Sequence, residues 1–298
     1  MSLWHQFATL ITMKKLVLNY HFWAMSALGM IISSCSTKYK AVEENGAKKL
    51  YNREYGADIQ QRMDVFIPAE QKADSPLVMI VHGGGWKFGR KEHMKMIQNF
   101  LFKNNIPSVN INYRLLKKGV SYQEQVADIS KAISKTTELA ENLQIKPDNL
   151  VLLGESAGGH LALLYGYQNP TKVTKLISMS GPTDFYSEDY RNSKYYKRSK
   201  TVFQFVVGEK YAENLEAFEK ASPISHVSEV PTLIFQGDRD FLVNKSQGLA
   251  LDSVLKAKKI PHKLVFMKNA GHVPRFRKSK RDSIIFPNIL EFVTDGIK

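Results

Sequence analysis

A serine stands between glycines in Gly154-Glu155-Ser156-Ala157-Gly158-Gly159, after the apolar run 150–153 and before a helical stretch carrying His160, Leu161, Leu163 and Leu164. Gly-x-Ser-x-Gly between a strand and a helix forms a strained turn. It lifts the serine hydroxyl clear of the sheet and sets the following N–H at a helix N-terminus, where it can meet an anion. A hydroxyl is a poor nucleophile until a neighbouring base takes its proton. The chain has eight histidines. His5 and His21 fall near the N-terminus, His82 opens a glycine loop, and His160 is too near Ser156 in sequence to fold back on it. His93, His226 and His262 lie outside the loops that end strands. His272, in Ala270-Gly271-His272 after the last strand, is placed where a loop can bring an imidazole over the serine. Its ordinary pKa of about 6.5 suits a base that must return the proton near neutrality.

The base needs a carboxylate to orient it. Gly237-Asp238-Arg239-Asp240 follows the strand before the last one, and the position further along the loop favours Asp240. Asp238 is expected to cap its own turn by bonding local backbone, and Asp184, after Gly181-Pro182-Thr183, is the second-choice acid. The order Ser156, Asp240, His272 differs from the chain orders of the chymotrypsin and subtilisin triads. His82-Gly83-Gly84-Gly85-Trp86 follows the run Leu77–Val81. Acyl transfer builds an oxyanion, and preorganised N–H groups aimed at it are usually the largest electrostatic contribution. Gly83 and Gly84 let the backbone come close to a substrate, and Ala157 N–H is the third expected donor. A phosphate-cradling loop is excluded, because Gly-x-x-x-x-Gly-Lys-[Ser/Thr] is absent.

These motifs need a frame of strands that deliver loops to one edge. Leu77–Val81, 108–112, 150–153, Lys175–Met179, 233–236 and 263–267 read as strands, with helices over 122–141, after Ser156 and over 245–258. The alternating stretch 59–67 suits an antiparallel edge strand. Strands alternating with helices predict an α/β fold, a mostly parallel sheet covered on both faces, whose active site lies at the carboxyl ends of the strands. Residues 185–221 break the rhythm with charged and aromatic residues and read as a cap-like insertion. Within it Tyr190, Tyr195 and Tyr196 either stack on sugars or pack the cap.

The N-terminal region reads differently. Met13-Lys14-Lys15 is followed by an apolar stretch over 16–32 ending in Ile32-Ser33-Ser34-Cys35, and Cys35 is the chain's one cysteine. A basic start, an apolar centre and small residues before a cut site are the parts of an export signal, and the last four residues resemble the lipobox of bacterial lipoproteins. Residues 1–35 are therefore expected to be a lipoprotein-type signal peptide that starts at Met1 or Met13. Residues 36–50 then form a polar tether and 51–298 the folded domain. The expected location is the bacterial cell envelope, on the periplasmic side or the cell surface, with a lipid on Cys35 as the membrane anchor. A single cysteine permits no intramolecular disulfide and no cysteine-rich zinc site.

The chain has 298 residues and a formal charge of +14. Loss of residues 1–35 removes Lys14 and Lys15 and no acid, so the surplus belongs to the folded body. Arg191, Lys194, Lys197, Arg198 and Lys200 form one basic cluster; Arg275, Arg277, Lys278, Lys280 and Arg281 form another. A solvated face is the default reading; the sharper one places both at the rim of the site, attracting anionic substrates or an anionic envelope surface. No nucleic-acid recognition motif accompanies the charge.

Over about residues 55–295 the chain resembles the α/β-hydrolase superfamily, in particular its carboxylesterase branch. The resemblance rests on His82–Trp86, Asn112-Tyr113-Arg114, Gly154–Leu161, Ala221-Ser222-Pro223-Ile224 and the Asp240 and His272 loops. It is similar to small bacterial esterases near the hormone-sensitive-lipase, feruloyl/acetyl-xylan-esterase and kynurenine-formamidase-like groups. The resemblance implies ester hydrolysis through an acyl-enzyme without metal or organic cofactor, on short-acyl or carbohydrate-linked esters. Gly271-His272-Val273-Pro274 departs from the common Gly-His-Gly/Ala-Phe ending. An amidase or exopeptidase with the same triad, and a non-catalytic binding lipoprotein on this fold, are the alternatives.

Overall fold

Among the described residues, nine strands form one sheet: β1 (Lys40–Glu44), β2 (Ala47–Glu54), β3 (Arg62–Ile67), β4 (Leu77–Val81), β5 (Ser108–Ile111), β6 (Leu150–Glu155), β7 (Lys175–Met179), β8 (Thr232–Gly237) and β9 (His262–Met267). The computed structural model describes residues 40–72, 74–272 and 274–296. Cys35 and the signal-peptide reading of residues 1–35 lie outside the described residues. The strand order is β1-β2-β3-β5-β4-β6-β7-β8-β9. From β5 to β9 the pairs are parallel, whereas β3 meets β5 and β2 antiparallel.

The expected α/β layering is present, with helices on both faces of the sheet. Strands β4 and β6 are buried at every position, which is why they read as unbroken apolar runs. Their alternate side chains feed two separate cores. Leu77, Met79, Val81, Leu150 and Leu152 join a core with residues from α2 (Tyr122–Leu143), α3 (Ala157–Gln168) and α7 (Ser246–Ala257). Val78, Ile80, Val151 and Leu153 pack on the other face with α1 (Lys95–Lys103) and α8 (Phe286–Thr294). The insertion between β7 and β8 carries α4 (Glu188–Asn192), α5 (Lys194–Val207) and α6 (Leu215–Lys220).

Two expectations are corrected. Strand β3 starts at Arg62 and lies inside the sheet between β2 and β5, so the stretch 59–67 is not an edge strand. Residues 40–50 are not a tether: they form β1 and the start of β2, joined through Asn45 and Gly46, both at positive φ (50° and 80°). That is the pairing a two-residue hairpin turn asks for.

Candidate active site

The serine sits where the strand turns into the helix. Ser156 lies between β6 and α3 at φ 54°, ψ −122°, a conformation that costs a non-glycine residue on the order of 1–3 kcal/mol. The surrounding packing holds it there. Ser156 N–H donates to the Met179 carbonyl (2.8 Å), and the Ser156 carbonyl accepts from His160 N–H (3.0 Å). A Cβ at Gly158 would lie 2.3 Å from the Val81 carbonyl oxygen. Only glycine lets the first turn of α3 press against the end of β4.

The structure brings Ser156, His272 and Asp240 together. His272 Nδ1 is 2.8 Å from Asp240 Oδ2, and His272 Nε2 is 2.9 Å from Ser156 Oγ. With the proton on Nδ1, the imidazole donates to the carboxylate and accepts from the hydroxyl. Asp240 Oδ1 accepts from Leu242 N–H (3.0 Å) and Val243 N–H (2.9 Å), which fixes the carboxylate plane. Asp184, the second-choice acid, is occupied elsewhere: its carboxylate accepts from Tyr186 N–H, Ser187 N–H and the Ser187 hydroxyl. Asp238, expected to cap its own turn, bonds the backbone of the next loop instead. Its Oδ1 accepts from Ala270 N–H (3.2 Å) and so ties the Asp240 loop to the loop that carries His272.

The glycine loop lies beside the serine. A Cβ on Gly83 would stand 3.1 Å from Ser156 Cβ, and Gly84 has φ +133°, open only to glycine. His82 is buried and stacks on Tyr113 with ring centroids 4.3 Å apart. Burial pulls its pKa down to about 4, so the ring is neutral at pH 7. Its Nδ1–H donates to the Gly83 carbonyl (2.8 Å). Because the peptide is planar and trans, holding that carbonyl points the Gly84 N–H the opposite way. Ala157 is the first residue of α3, so its N–H has no carbonyl partner one turn back in the helix.

A second histidine organises the cap side. His160 is fully buried and also pulled to about 4 by burial. Trp86 Nε1–H donates to its Nδ1 (3.1 Å), so its Nε2 carries the proton and donates to the Ala221 carbonyl (2.8 Å). It stacks on Phe185, which stacks on Phe203. Sequence spacing ruled His160 out as a base, but gave no sign that it links the glycine loop to the end of the cap.

Among the described residues, two cavities open on Ser156 and His272. One, about 300 Å³, lies under the cap and is lined by Trp86, Tyr195, Phe203, Phe241 and Val202, among others. The other, about 1080 Å³, runs past Gly83, Gly84, His93, Glu155 and Arg275, with Phe88 and Phe276 on its rim, 68% and 71% exposed. His93, set aside on sequence, is part of this second wall. Of the two basic clusters only Arg198 and Arg275 line these cavities, and Arg275 is buried against Glu155. Lys278 and Arg281 pair instead with Asp282. The three cap tyrosines pack: Tyr190 bonds Ser199, Tyr195 bonds the Leu242 carbonyl, and Tyr196 meets Tyr211 edge-on. Among the described residues no group of three or more His, Cys, Asp or Glu could hold a metal ion, and no helix is long and apolar enough to cross a membrane.

Sheet order, elbow and strand-end loops together define an α/β-hydrolase. Solved structures with this fold include a truncated carbohydrate esterase from gut microbiota (TM-score 0.72, 20% identity, 86% of this chain and 99% of that one). Esterase B of Lactobacillus rhamnosis is another (TM-score 0.69, 19% identity, 93% and 95%). Within that class the chain belongs to the BD-FAE family, which it matches over residues 63–255. Among curated proteins it is 25% identical over 239 residues to the Arabidopsis thaliana isoprenylcysteine alpha-carbonyl methylesterase ICME, covering 74% of this chain and 56% of the relative. It is 29% identical over 118 residues to the kynurenine formamidase of Salmo salar, covering 40% and 38%. The chain thus spans little more than half the length of the first of these relatives.

Proposed function

We propose that the protein is a serine carboxylic-ester hydrolase acting through an acyl-enzyme on esters of short acyl groups with bulky alcohols, saccharides included. The observation that carries this reading is the unbroken chain Asp240–His272–Ser156 opening on two cavities of unequal size. Ser156 Oγ attacks the ester carbonyl carbon while its proton passes to His272 Nε2; Asp240 holds the proton on Nδ1 and stabilises the imidazolium. The carbonyl oxygen becomes an oxyanion received by the N–H groups of Gly83, Gly84 and Ala157. Collapse breaks the bond to the alcohol, which leaves with the proton from Nε2. Water then gives a proton to Nε2 and attacks the acyl carbon; collapse breaks the bond to Ser156 Oγ, which takes the proton back from Nε2, and the carboxylic acid leaves. The cavity under the cap has room for a short acyl chain, and the wide cleft with its two exposed phenylalanines accommodates a larger alcohol. The reading of residues 1–35 as an export signal with a lipid on Cys35 rests on the sequence pattern and would hold this hydrolase at a membrane of the cell envelope.

The test is hydrolysis of p-nitrophenyl esters from acetyl to dodecanoyl, alongside a matched amide. Activity is expected to peak between acetyl and butyryl, to fall steeply beyond, and to vanish in a folded Ser156→Ala variant. Full activity in that variant would sink the assignment, and faster cleavage of the amide would turn it into an amidase.

A further inference from the structure

The second basic cluster contains one residue that does not behave as a surface cation. Arg275, 2% exposed, donates from Nε and Nη2 to the two carboxylate oxygens of Glu155, the Nη2 bond being 2.8 Å. Its guanidinium lies 4.1 Å from the centroid of Phe276, and its Nη1 is buried with no hydrogen-bond partner. Glu155, also buried, ends β6 immediately before Ser156. Arg275 stands three residues after His272, in the turn Pro274–Phe276. The ion pair and the His272–Ser156 hydrogen bond therefore close a small ring between the elbow and the last loop. Stability alone does not account for such a pair: burying both charges costs several kcal/mol per ion, and apolar residues of similar volume hold two segments together at least as well. What a bidentate guanidinium–carboxylate contact adds is fixed direction and distance.

We infer that Glu155 and Arg275 are positioning residues that hold the loop of His272 in register with the serine, keeping Nε2 within hydrogen-bond reach of Oγ. This rests on the hydrolase reading. The brace acts on the geometry of proton transfer rather than on substrate binding, and displacements near 1 Å at such a contact cost about 100-fold in rate.

The test compares the full-length chain with Arg275→Met, Arg275→Lys and the double variant Glu155→Leu/Arg275→Met, reading kcat, KM, the rate of Ser156 labelling by a fluorophosphonate, and melting temperature. Arg275→Met strands a buried carboxylate and is expected to lose stability. The double variant removes both charges and is expected to regain most of that stability. Its kcat and labelling rate stay roughly 10- to 100-fold low and KM changes less than about threefold. A double variant with kcat near that of the unaltered chain, or a loss confined to KM, overturns the inference. Should the double variant not fold, Arg275→Lys decides: it keeps the charge and loses the fork, and unchanged kcat overturns the brace. Ester hydrolysis by the unaltered chain and its absence in Ser156→Ala uphold the hydrolase reading whichever way the brace falls, and an inert unaltered chain sinks that reading itself.

Discussion

The two cavities share Gly85, Ser156, Leu242 and His272, yet their other walls are built differently. The smaller is closed by one inserted segment, with Tyr195, Arg198, Val202 and Phe203 on α5. The larger is walled by the glycine loop, α1 and the last loop, and holds the Glu155–Arg275 pair. Each wall hangs on one buried neutral histidine, His160 on the cap side and His82 on the cleft side. The lesson is a division of labour. The insertion sets the size of what fits beneath it, while the frame sets the geometry of the reacting atoms.

Acid should break both walls at once, and this is the largest effect expected. Burial holds the two histidines near 4 in the folded chain against about 6.5 when unfolded. Below pH 6.5 the unfolded chain takes up protons that the folded chain refuses, so stability falls as pH drops from 6.5 towards 4 and is unaffected by these groups above it. The loss is on the order of 2 kcal/mol per histidine by pH 5, or a melting temperature lower by roughly 10 °C than at pH 7. A flat melting curve between pH 7 and 5 would remove the neutral-histidine account. A narrower probe fills only the cap cavity. Val202→Trp places an indole there from a half-exposed position, and kcat/KM for butyryl esters should drop about 10- to 100-fold with little change for acetyl esters. Equal losses on both would mean that the acyl group lies elsewhere. The smallest effect is expected on the open side: Phe276→Ala should raise KM for bulky alcohol esters about three- to tenfold and leave ethyl esters unchanged. A shift in acyl-length preference there would erase the distinction between the cavities.

Strand β4 and the run 150–153 of β6 were the most legible, because they are buried at every position and apolar throughout. Strands β1 and β2 were not legible, since β1 is exposed along its whole length and β2 mostly half-buried, with polar residues at most positions. The signal that could have found them was Asn45-Gly46, a two-residue hairpin turn. The stretch 59–67 has the alternation of a strand with one covered face, and only the pairing partners show that β2 and β1 lie beyond it. At the site, local spacing singled out Ser156, Asp240 and His272, and the fold sets them 2.8 and 2.9 Å apart along one hydrogen-bonded line. Arg275 read as one more surface cation, and His160 as a bystander in the elbow helix.

The sequence by itself determined what depends on neighbours along the chain: the elbow at Ser156, the glycine loop after β4 and the loops that follow β8 and β9. Turn chemistry and strand burial are short-range constraints, and they leave a mark on residue types. Tertiary structure alone decided which distant side chains meet. Glu155 reaches Arg275, Trp86 reaches His160, and Asp238 reaches the backbone of Ala270. A buried charge or imidazole looks in sequence like an exposed one. Only the desolvation that follows packing turns Arg275 into half of an ion pair and His160 into a neutral link between loop and cap.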